Sequence, residues 1–377
     1  MIRIRAGILL VILMLLASCL PARRTVTLAL LGDLMVGRAV NPDPASLSYL
    51  SPGLKAADLT LANLESPLAP GAGMVVPTNG DYNLCAPSAE ADLFPIWHLD
   101  MLSLANNHRF DCGPDGVADT LMALTTRGIT PVGPGPQPVY RQIDGLKLAF
   151  LAFDDILAPI AAPAAMQAIQ SARASGAVVV VYVHWGMEYQ SGATDRQKTL
   201  ARQFADAGAT LVVGSHPHVL QPAGWITTAQ GKTLVLFSLG NALFDQAGLP
   251  DTRQSALVLV TLDSQGVRSV QVTPFEIDPA GSRILPADPQ VAAQIRLKLA
   301  LPLSASPAWV GSVLDRGVSY SESGAAKAAQ ARNPLFGGGR DRFAETTENK
   351  NRITPLAGEA TGCYHIYGAD MVSGGRC

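Results

Sequence analysis

The sequence is poor in the residues that mark several common protein classes. Of its 377 residues, 15% are charged, 6% are aromatic and only six are histidine. Its 28 basic and 30 acidic residues leave no excess of positive charge, so we do not expect nucleic-acid binding. The five cysteines include no C-x-x-C pair, so we do not expect thiolate ligation of a metal. With so few histidines, the place of each one in the sequence is informative.

The first 18 residues are typical of a signal peptide. Arg3 and Arg5 precede an apolar stretch at residues 6–16, which is shorter than the roughly 20 residues that span a bilayer. Residues 16–19, LASC, resemble a bacterial lipobox, in which Cys19 is lipidated after cleavage before it. An ordinary signal peptide with an incidental Cys19 is the alternative. Both readings predict export, and the first adds a lipid anchor to the cell envelope.

The remaining cysteines are even in number. An even count in an oxidising compartment predicts disulfide pairing. Proximity in sequence favours Cys85 with Cys112 and Cys363 with Cys377, although four cysteines allow three pairings.

The pattern of apolar residues predicts alternating strands and helices. Predicted strands cover residues 25–31, 59–63, 101–105, 146–153, 177–183, 210–213 and 234–237, and a hairpin covers 256–262 and 267–272. Predicted helices cover residues 116–127, 162–175 and 194–207. This alternation predicts an α/β fold with a partly parallel sheet and antiparallel strands toward its end.

The composition changes near residue 285. Residues 320–360 are rich in Gly, Ser, Ala and charged residues, and a helix is predicted at 287–303. We therefore predict a main domain at residues 19–284 and a small C-terminal appendage at 285–377, whose end is stapled by its two cysteines.

Polar residues follow the apolar runs at the points where the predicted strands end. These residues are Asp33, Glu65, Asn107, His184 and His216. The carboxyl ends of the strands in an α/β sheet share one edge, where ligands usually bind. We therefore expect these five side chains to converge.

Two histidines lie two residues apart in the stretch GSHPHVLQ. Gly214 allows the backbone to bend and Pro217 stiffens the turn, so His216 and His218 can face one centre. Imidazole, carboxylate and amide groups together suit a borderline divalent ion such as Mn, Fe or Zn. Two surface histidines in a loop are the alternative. His98 and His365 fall outside the pattern and are read as structural or surface residues.

Six ordered motifs carry a resemblance to a known family. The motifs are GDLMVGR, NLE, ANNHRFDCG, HWGMEY, GSHPHVLQ and SLGNALFDQ, and they lie within about residues 27–246. Their order resembles that of CapA-type capsule-synthesis proteins, which are similar to poly-γ-glutamate capsule proteins, within the calcineurin-like metallophosphatase superfamily. The resemblance implies a four-layer α/β/β/α sandwich around one or two divalent metal ions.

The resemblance also assigns roles to individual residues. It implies metal ligation by six of them, namely Asp33, Glu65, Asn107, His184, His216 and His218. It implies that His108 protonates the leaving group. The broad superfamily has histidine where Met35 stands and aspartate where Glu65 stands. The CapA branch shares both departures, which leave the metal count open.

Further polar residues near the motifs are candidates for weaker roles. Arg38 is expected to steady an anionic substrate, although an ordinary surface or helix-start arginine is an equal alternative. Glu188 and Tyr189 are expected to line the cleft. Asn241 and Asp245 are expected to support the metal ligands from behind.

Three functions are compatible with these residues. The first is a metal-dependent hydrolase that acts on a phosphoester or an anionic polymer in capsule or exopolymer metabolism. The second is a non-hydrolytic assembly or export factor that binds the polymer or its membrane synthase. The third is amide hydrolysis or transfer on poly-γ-glutamate.

Overall fold

The computed structural model describes residues 24–71 and 82–300, which form a mixed α/β fold. The strands in these ranges are β1 (Val26–Leu34), β2 (Leu59–Leu64), β3 (Leu68–Ala69), β4 (Ala86–Pro87), β5 (Met101–Ser103), β6 (Thr130–Val132), β7 (Gly135–Ile143), β8 (Leu146–Asp154), β9 (Val178–His184), β10 (Leu211–Ser215), β11 (Leu220–Thr228), β12 (Gly231–Leu239), β13 (Asn241–Leu243), β14 (Gln254–Asp263), β15 (Gly266–Ile277) and β16 (Ile284–Pro286). The α-helices are α1 (Ser51–Ala56), α2 (Leu93–Ile96), α3 (Gly116–Thr125), α4 (Ala162–Ala174), α5 (Asp195–Ala207) and α6 (Pro289–Leu299). Short 3-10 helices lie at Ser48–Leu50, Ser88–Asp92 and Pro250–Arg253.

The strands form two large sheets and one small one. The eight-stranded sheet has the order β16-β15-β14-β1-β2-β5-β6, with β13 pairing with β1. Its strands β1, β2, β5 and β6 are parallel, whereas β14, β15 and β16 are antiparallel. The six-stranded sheet has the order β11-β12-β10-β9-β8-β7, with antiparallel strands only at its two edges. Strands β3 and β4 pair with each other.

Three apolar cores hold these elements together. They form on different sides of the sheets because side chains alternate between the two faces of each strand. Successive residues of a strand point to opposite faces. Leu30 of β1 and Val180 of β9 therefore lie in one core that both large sheets share. Leu31 of β1 packs in a second core with residues of α2 and α3, and Val181 of β9 packs in a third with residues of α4 and α5.

Parallel pairing brings the polar strand ends together. Asp33 of β1 is in register with Asn63 of β2, and His184 of β9 is in register with Ser215 of β10. The hydroxyl of Tyr182 in β9 lies 3.0 and 3.1 Å from backbone carbonyls of β1 and β2, so a polar contact also joins the two sheets. Both sheets consequently present their carboxyl ends to one region.

The helix at the start of the predicted appendage packs onto the sheets. It is present as α6, and the side chain of Asp288 caps it by accepting a hydrogen bond from the Gln290 amide. Ile295 and Leu299 are fully buried in the core that both sheets share. None of the helices in the described ranges is long and apolar enough to cross a membrane. The predicted signal peptide, Cys19, Cys363, Cys377 and residues 301–377 lie outside those ranges.

Candidate metal centre

The predicted convergence of polar strand ends is present. The larger sheet contributes Asp33 at the end of β1, Glu65 just after β2, and the loop after β5 that carries Asn107 and His108. The smaller sheet contributes His184 at the end of β9 and the pair His216 and His218 after β10. Ligand atoms of Asp33, Glu65 and His218 all lie within 4.8 Å of one another.

Asp33 is held by hydrogen bonds from both sheets. Its Oδ1 accepts from the Asn63 side chain at 2.8 Å, and its Oδ2 accepts from the backbone amide of His216 at 3.0 Å. Burial raises the pKa of this carboxyl from 3.8 to about 7, against the lowering effect of these hydrogen bonds. The preceding residue, Gly32, lies against the Gly240 backbone so closely that a Cβ there would overlap the Gly240 carbonyl oxygen.

Glu65 is the least satisfied polar group of the centre. Its side chain is fully buried, and neither carboxylate oxygen has a hydrogen-bond partner among the described residues. Nε2 atoms of His108, His184 and His218 surround Oε1 at 3.9, 3.8 and 3.8 Å, which is too long for hydrogen bonds. Burial, followed by the charges of Asp33 and Glu188, raises the pKa of Glu65 well above its ordinary value. A buried carboxylate without partners is costly unless a cation compensates it.

The histidines of the centre are held in the neutral form that ligates metals. Burial lowers the pKa of His216 to about 4 and that of His218 to about 3. Burial, reinforced by the neighbouring imidazoles, also lowers the pKa of His184 well below its ordinary value. The Nδ1 atom of His216 is buried and lacks a hydrogen-bond partner among the described residues. Both His216 and His218 have positive φ, 94° and 58°, which is uncommon for residues other than glycine.

Neighbouring groups orient these imidazole rings. Nδ1 of His184 lies 2.9 Å from the Ser215 hydroxyl, and its Nε2 lies 2.7 Å from the side-chain oxygen of Asn107. Nδ1 of His218 lies 2.9 Å from the side-chain oxygen of Asn241, which leaves Nε2 directed toward Glu65. Such contacts to the second nitrogen are typical of metal-binding histidines.

His108 lies at the mouth of the centre. Its Nδ1 is 2.8 Å from Oδ2 of Asp111, and its Nε2 faces Glu65. The ring is partly exposed and lines an open cleft of about 770 Å³ together with Asn107 and His218. His108 thus lies between the buried cluster of Asp33, Glu65 and His218 and the open cleft.

The candidate substrate-binding residues line the same cleft. Arg38 forms an ion pair with Asp245 and lies over the Tyr82 and Phe244 rings, at 5.7 and 5.3 Å. Asp245, which was expected to support the metal ligands, contacts this arginine. The lining also includes Glu188 and Tyr189, and the Tyr189 hydroxyl accepts a 3.2 Å hydrogen bond from Gln246.

Three residues of the centre are absent from the sequence-based prediction. Asn63 contacts Asp33, lies 3.4 Å from Nδ1 of His184 and accepts from Asn106. Ser215 and Asp111 orient His184 and His108. Position was the available signal for both: Asn63 ends the predicted strand 59–63, and Ser215 lies just past the predicted strand 210–213, directly before His216. Asp111 lies in the quoted motif ANNHRFDCG, three residues after His108.

The donor set suits a metal ion. The buried cluster of Asp33, Glu65 and His218 can bind one, and its mixture of carboxylate and imidazole suits borderline divalent ions. The orphaned oxygens of Glu65 and the orphaned Nδ1 of His216 point to the same conclusion. Met35 does not add a donor, because its side chain is fully buried in the apolar core beside α2 and α3.

Comparison with known proteins identifies the family. The model of the family "Bacterial capsule synthesis protein PGA_cap" matches residues 27–246. The chain belongs to this family. This CapA-type chain is 32% identical over 275 residues to the PGA biosynthesis protein CapA of Bacillus subtilis (strain 168), covering 66% of the chain and 71% of that relative. It is 31% identical over 281 residues to the capsule biosynthesis protein CapA of Bacillus anthracis, covering 67% of each.

A solved structure of a hypothetical protein from Thermus thermophilus is also similar to the CapA-type chain. The two share 16% identity with a TM-score of 0.44, over 66% of this chain and 99% of the other.

Proposed function

We propose that this CapA-type protein is a metal-dependent hydrolase that acts in the synthesis of a capsule or exopolymer. The observation that carries the proposal is Glu65, a fully buried carboxylate without hydrogen-bond partners among the described residues that faces three imidazole nitrogens. A purely structural carboxylate in such a place would be expected to have hydrogen-bond partners. Its setting is that of a ligand.

Six residues would hold the metal, namely Asp33, Glu65, Asn107, His184, His216 and His218. We propose one or two divalent ions of Mn, Fe or Zn. When bound, such an ion would polarise substrate oxygens and lower the pKa of a bound water molecule, so that hydroxide becomes available near neutral pH.

The protein's own residues would supply orientation and proton transfer. Doubly protonated His108 would give the proton on Nε2 to the leaving oxygen and keep the proton on Nδ1, which lies 2.8 Å from Asp111. A positioned general acid typically contributes about 10²- to 10⁴-fold in rate. Arg38 would bind an anionic group of the substrate, since Asp245 and the two aromatic rings fix its guanidinium at the cleft. Glu188 and Tyr189 would border the substrate at the rim.

We further propose that the fold is the four-layer α/β/β/α sandwich of the calcineurin-like metallophosphatases. Support comes from the three apolar cores, of which one lies between the sheets and two involve helices. The position of the ligands at the carboxyl ends of parallel strands agrees with this assignment.

Elemental analysis combined with an esterase panel tests the proposal. We expect purified protein to bind Mn²⁺ and to hydrolyse one or more phosphomonoesters or phosphodiesters. Asp33→Ala and His216→Ala should lose both properties. His98→Asn is the matched control, because His98 lies outside the centre and asparagine tolerates its positive φ of 58°. Equal background activity in all four proteins would reject phosphoester chemistry.

Amide hydrolysis or transfer on poly-γ-glutamate is the second candidate. It is favoured by the similarity to the Bacillus subtilis relative, which is a PGA biosynthesis protein. Shortening of poly-γ-glutamate by wild-type protein and not by His218→Ala would support it. If neither ester nor amide is cleaved, and a membrane polymer synthase is pulled down equally by wild type and ligand variants, the protein would be a non-catalytic assembly factor.

We also propose that the protein is exported and anchored by a lipid on Cys19, where it would meet an anionic polymer and its synthase or export complex. The proposal rests on the signal-like start and the LASC sequence. Cys19→Ser should move the protein from the membrane fraction to the soluble fraction. Continued membrane retention of this variant would contradict the anchor.

A further inference from the structure

The loop that carries Asn107 and His108 is tied to a neighbouring segment, residues 83–85. A disulfide joins Cys85 to Cys112, with their Cα atoms 4.9 Å apart. The side-chain amide of Asn83 donates to the backbone carbonyl of Asp111 at 2.8 Å. One covalent bond and one hydrogen bond thus fix the end of the His108 loop.

Asp111 links this tie to the imidazole. A single oxygen, Oδ2, accepts from the Leu84 backbone amide at 2.7 Å and contacts Nδ1 of His108 at 2.8 Å. The amide of Asp111 itself donates to the His108 carbonyl at 2.9 Å. Because Oδ2 is held by Leu84, the position of the carboxylate depends on segment 83–85.

The far side of the disulfide is held as well. Cys112 packs so closely on Gly116, at the start of α3, that a Cβ on this glycine would overlap the Cβ of Cys112. The hydroxyl of Thr120 in α3 accepts from the backbone amide of Leu68 in β3, and β3 pairs with β4, which begins at Ala86 beside Cys85. Both ends of the disulfide are therefore anchored in regular structure.

We propose that Asp111 and the Cys85–Cys112 disulfide form a positioning unit that fixes the His108 ring with Nε2 toward the metal centre. Asp111 keeps the proton of the neutral ring on Nδ1, and the disulfide keeps Leu84 in place to hold Asp111. Asp111 is thus a positioning residue that acts through His108. The effect of this positioning on the rate of hydrolysis rests on the proposed function, whereas the tautomer of the His108 ring does not.

Nitrogen NMR of the histidine rings tests the positioning directly. Metal-free protein with ¹⁵N-labelled histidine would be measured at a pH high enough that the ring nitrogen shifts no longer change with pH. We expect His108 of the wild type to carry its proton on Nδ1 only. Asp111→Ala should give a mixture of both tautomers, whereas Asp111→Asn should keep the Nδ1 form because its amide oxygen can still accept.

The disulfide is tested by the double change Cys85→Ser and Cys112→Ser. It should shift His108 toward the mixture seen in Asp111→Ala. Asp115→Asn is the matched control, because Asp115 is an exposed carboxylate of the same region whose side chain makes no cap hydrogen bond. If the double variant does not fold, Asp111→Ala alone decides. An unchanged His108 tautomer in Asp111→Ala would overturn the proposal.

Leaving-group dependence provides a second readout in metal-loaded protein. A phenyl phosphate ester needs protonation of its leaving oxygen, whereas a 4-nitrophenyl phosphate ester does not, because 4-nitrophenolate leaves readily as an anion. We expect Asp111→Ala to lower kcat for the phenyl ester about 10- to 100-fold, which is part of the full general-acid contribution. The 4-nitrophenyl ester should lose no more than a few-fold, with KM unchanged. Equal losses on both esters would also overturn the proposal.

The two readouts separate the proposals. If wild-type protein cleaves no ester, the proposed hydrolytic function fails, but the NMR measurement still decides whether Asp111 and the disulfide position His108.

Discussion

Replacement of Asp33 by asparagine should stabilise the metal-free protein relative to the wild type, and this difference should grow as the pH rises from about 4 to about 7. Burial raises the pKa of Asp33 from 3.8 to about 7 in the folded state. Below pH 3.8 the carboxyl is protonated in both states and costs nothing. Between these values the unfolded state releases the proton while the folded state retains it, so stability falls as the pH rises. Above pH 7 the penalty is constant.

The size of this penalty follows from the two pKa values. The difference of 7 − 3.8, about three pKa units, corresponds to about 4 kcal/mol at about 1.4 kcal/mol per unit. The destabilisation by Asp33 should therefore grow by about 3 kcal/mol between pH 5 and pH 8. The lowered pKa values of His216 and His218 act in the opposite direction, but they are present in both proteins and cancel to first order in the comparison. Loss of the Asp33 charge also relieves the raised pKa of Glu65, which acts in the same direction as the Asp33 effect.

Urea unfolding of chelated wild type and Asp33→Asn at both pH values measures the effect. The variant has one acceptor oxygen and so loses one of the two hydrogen bonds, from Asn63 or from His216, at every pH. The change between pH values is therefore the informative quantity. Added Mn²⁺ should then favour the wild type alone, by about 2.7 kcal/mol at a free concentration of 100 times Kd. If the stability difference between the two proteins changes by less than about 1 kcal/mol from pH 5 to pH 8, the cost assigned to the buried carboxylate is wrong.

Three further predictions concern the surroundings of the centre. Asn241→Ala removes the oxygen that orients His218 and should weaken Mn²⁺ affinity about 10- to 100-fold in equilibrium dialysis. The matched change Asn41→Ala, at an exposed residue, should leave the affinity unchanged. Gly32→Ala places a methyl group against a backbone carbonyl that cannot move freely, so it should destabilise the protein by about 2 kcal/mol or more and reduce metal content; normal values for both would contradict the close approach. Ile295→Ala removes a fully buried side chain from the core between the sheets and should cost about 2 to 5 kcal/mol in urea unfolding, and a cost near zero would mean that α6 does not pack there.

The sequence predicted the strands that carry the ligands because those strands are buried on both faces. The run Val178–His184 is fully buried, and its β-branched residues and polar end are readable without coordinates. Strand β7 was missed, because the GPQP stretch at its start is typical of a loop; it survives as an edge strand, where proline is tolerated. Strand β11, which contains QPAG, is the other edge of the same sheet and was missed for the same reason.

The sequence predicted that polar strand ends converge, but it did not predict the contacts among them. Position at a strand end identified Asp33 and His184, because parallel strands share an edge. The pairing of Arg38 with Asp245 joins residues 207 positions apart, and no local pattern signals it. The positive φ of His216 depends on the tertiary fold around the turn, and sequence predicted only that the turn bends.

The six ligands that we propose come in equal number from the two large sheets, three side chains from each. A cation bound by side chains of both sheets would cross-link them across an interface that is otherwise largely apolar. Metal binding should therefore be detectable away from the cleft, as slower backbone amide hydrogen exchange where β1 and β9 face each other. The rigidity of the contact between the two sheets would then depend on whether the metal ion is bound.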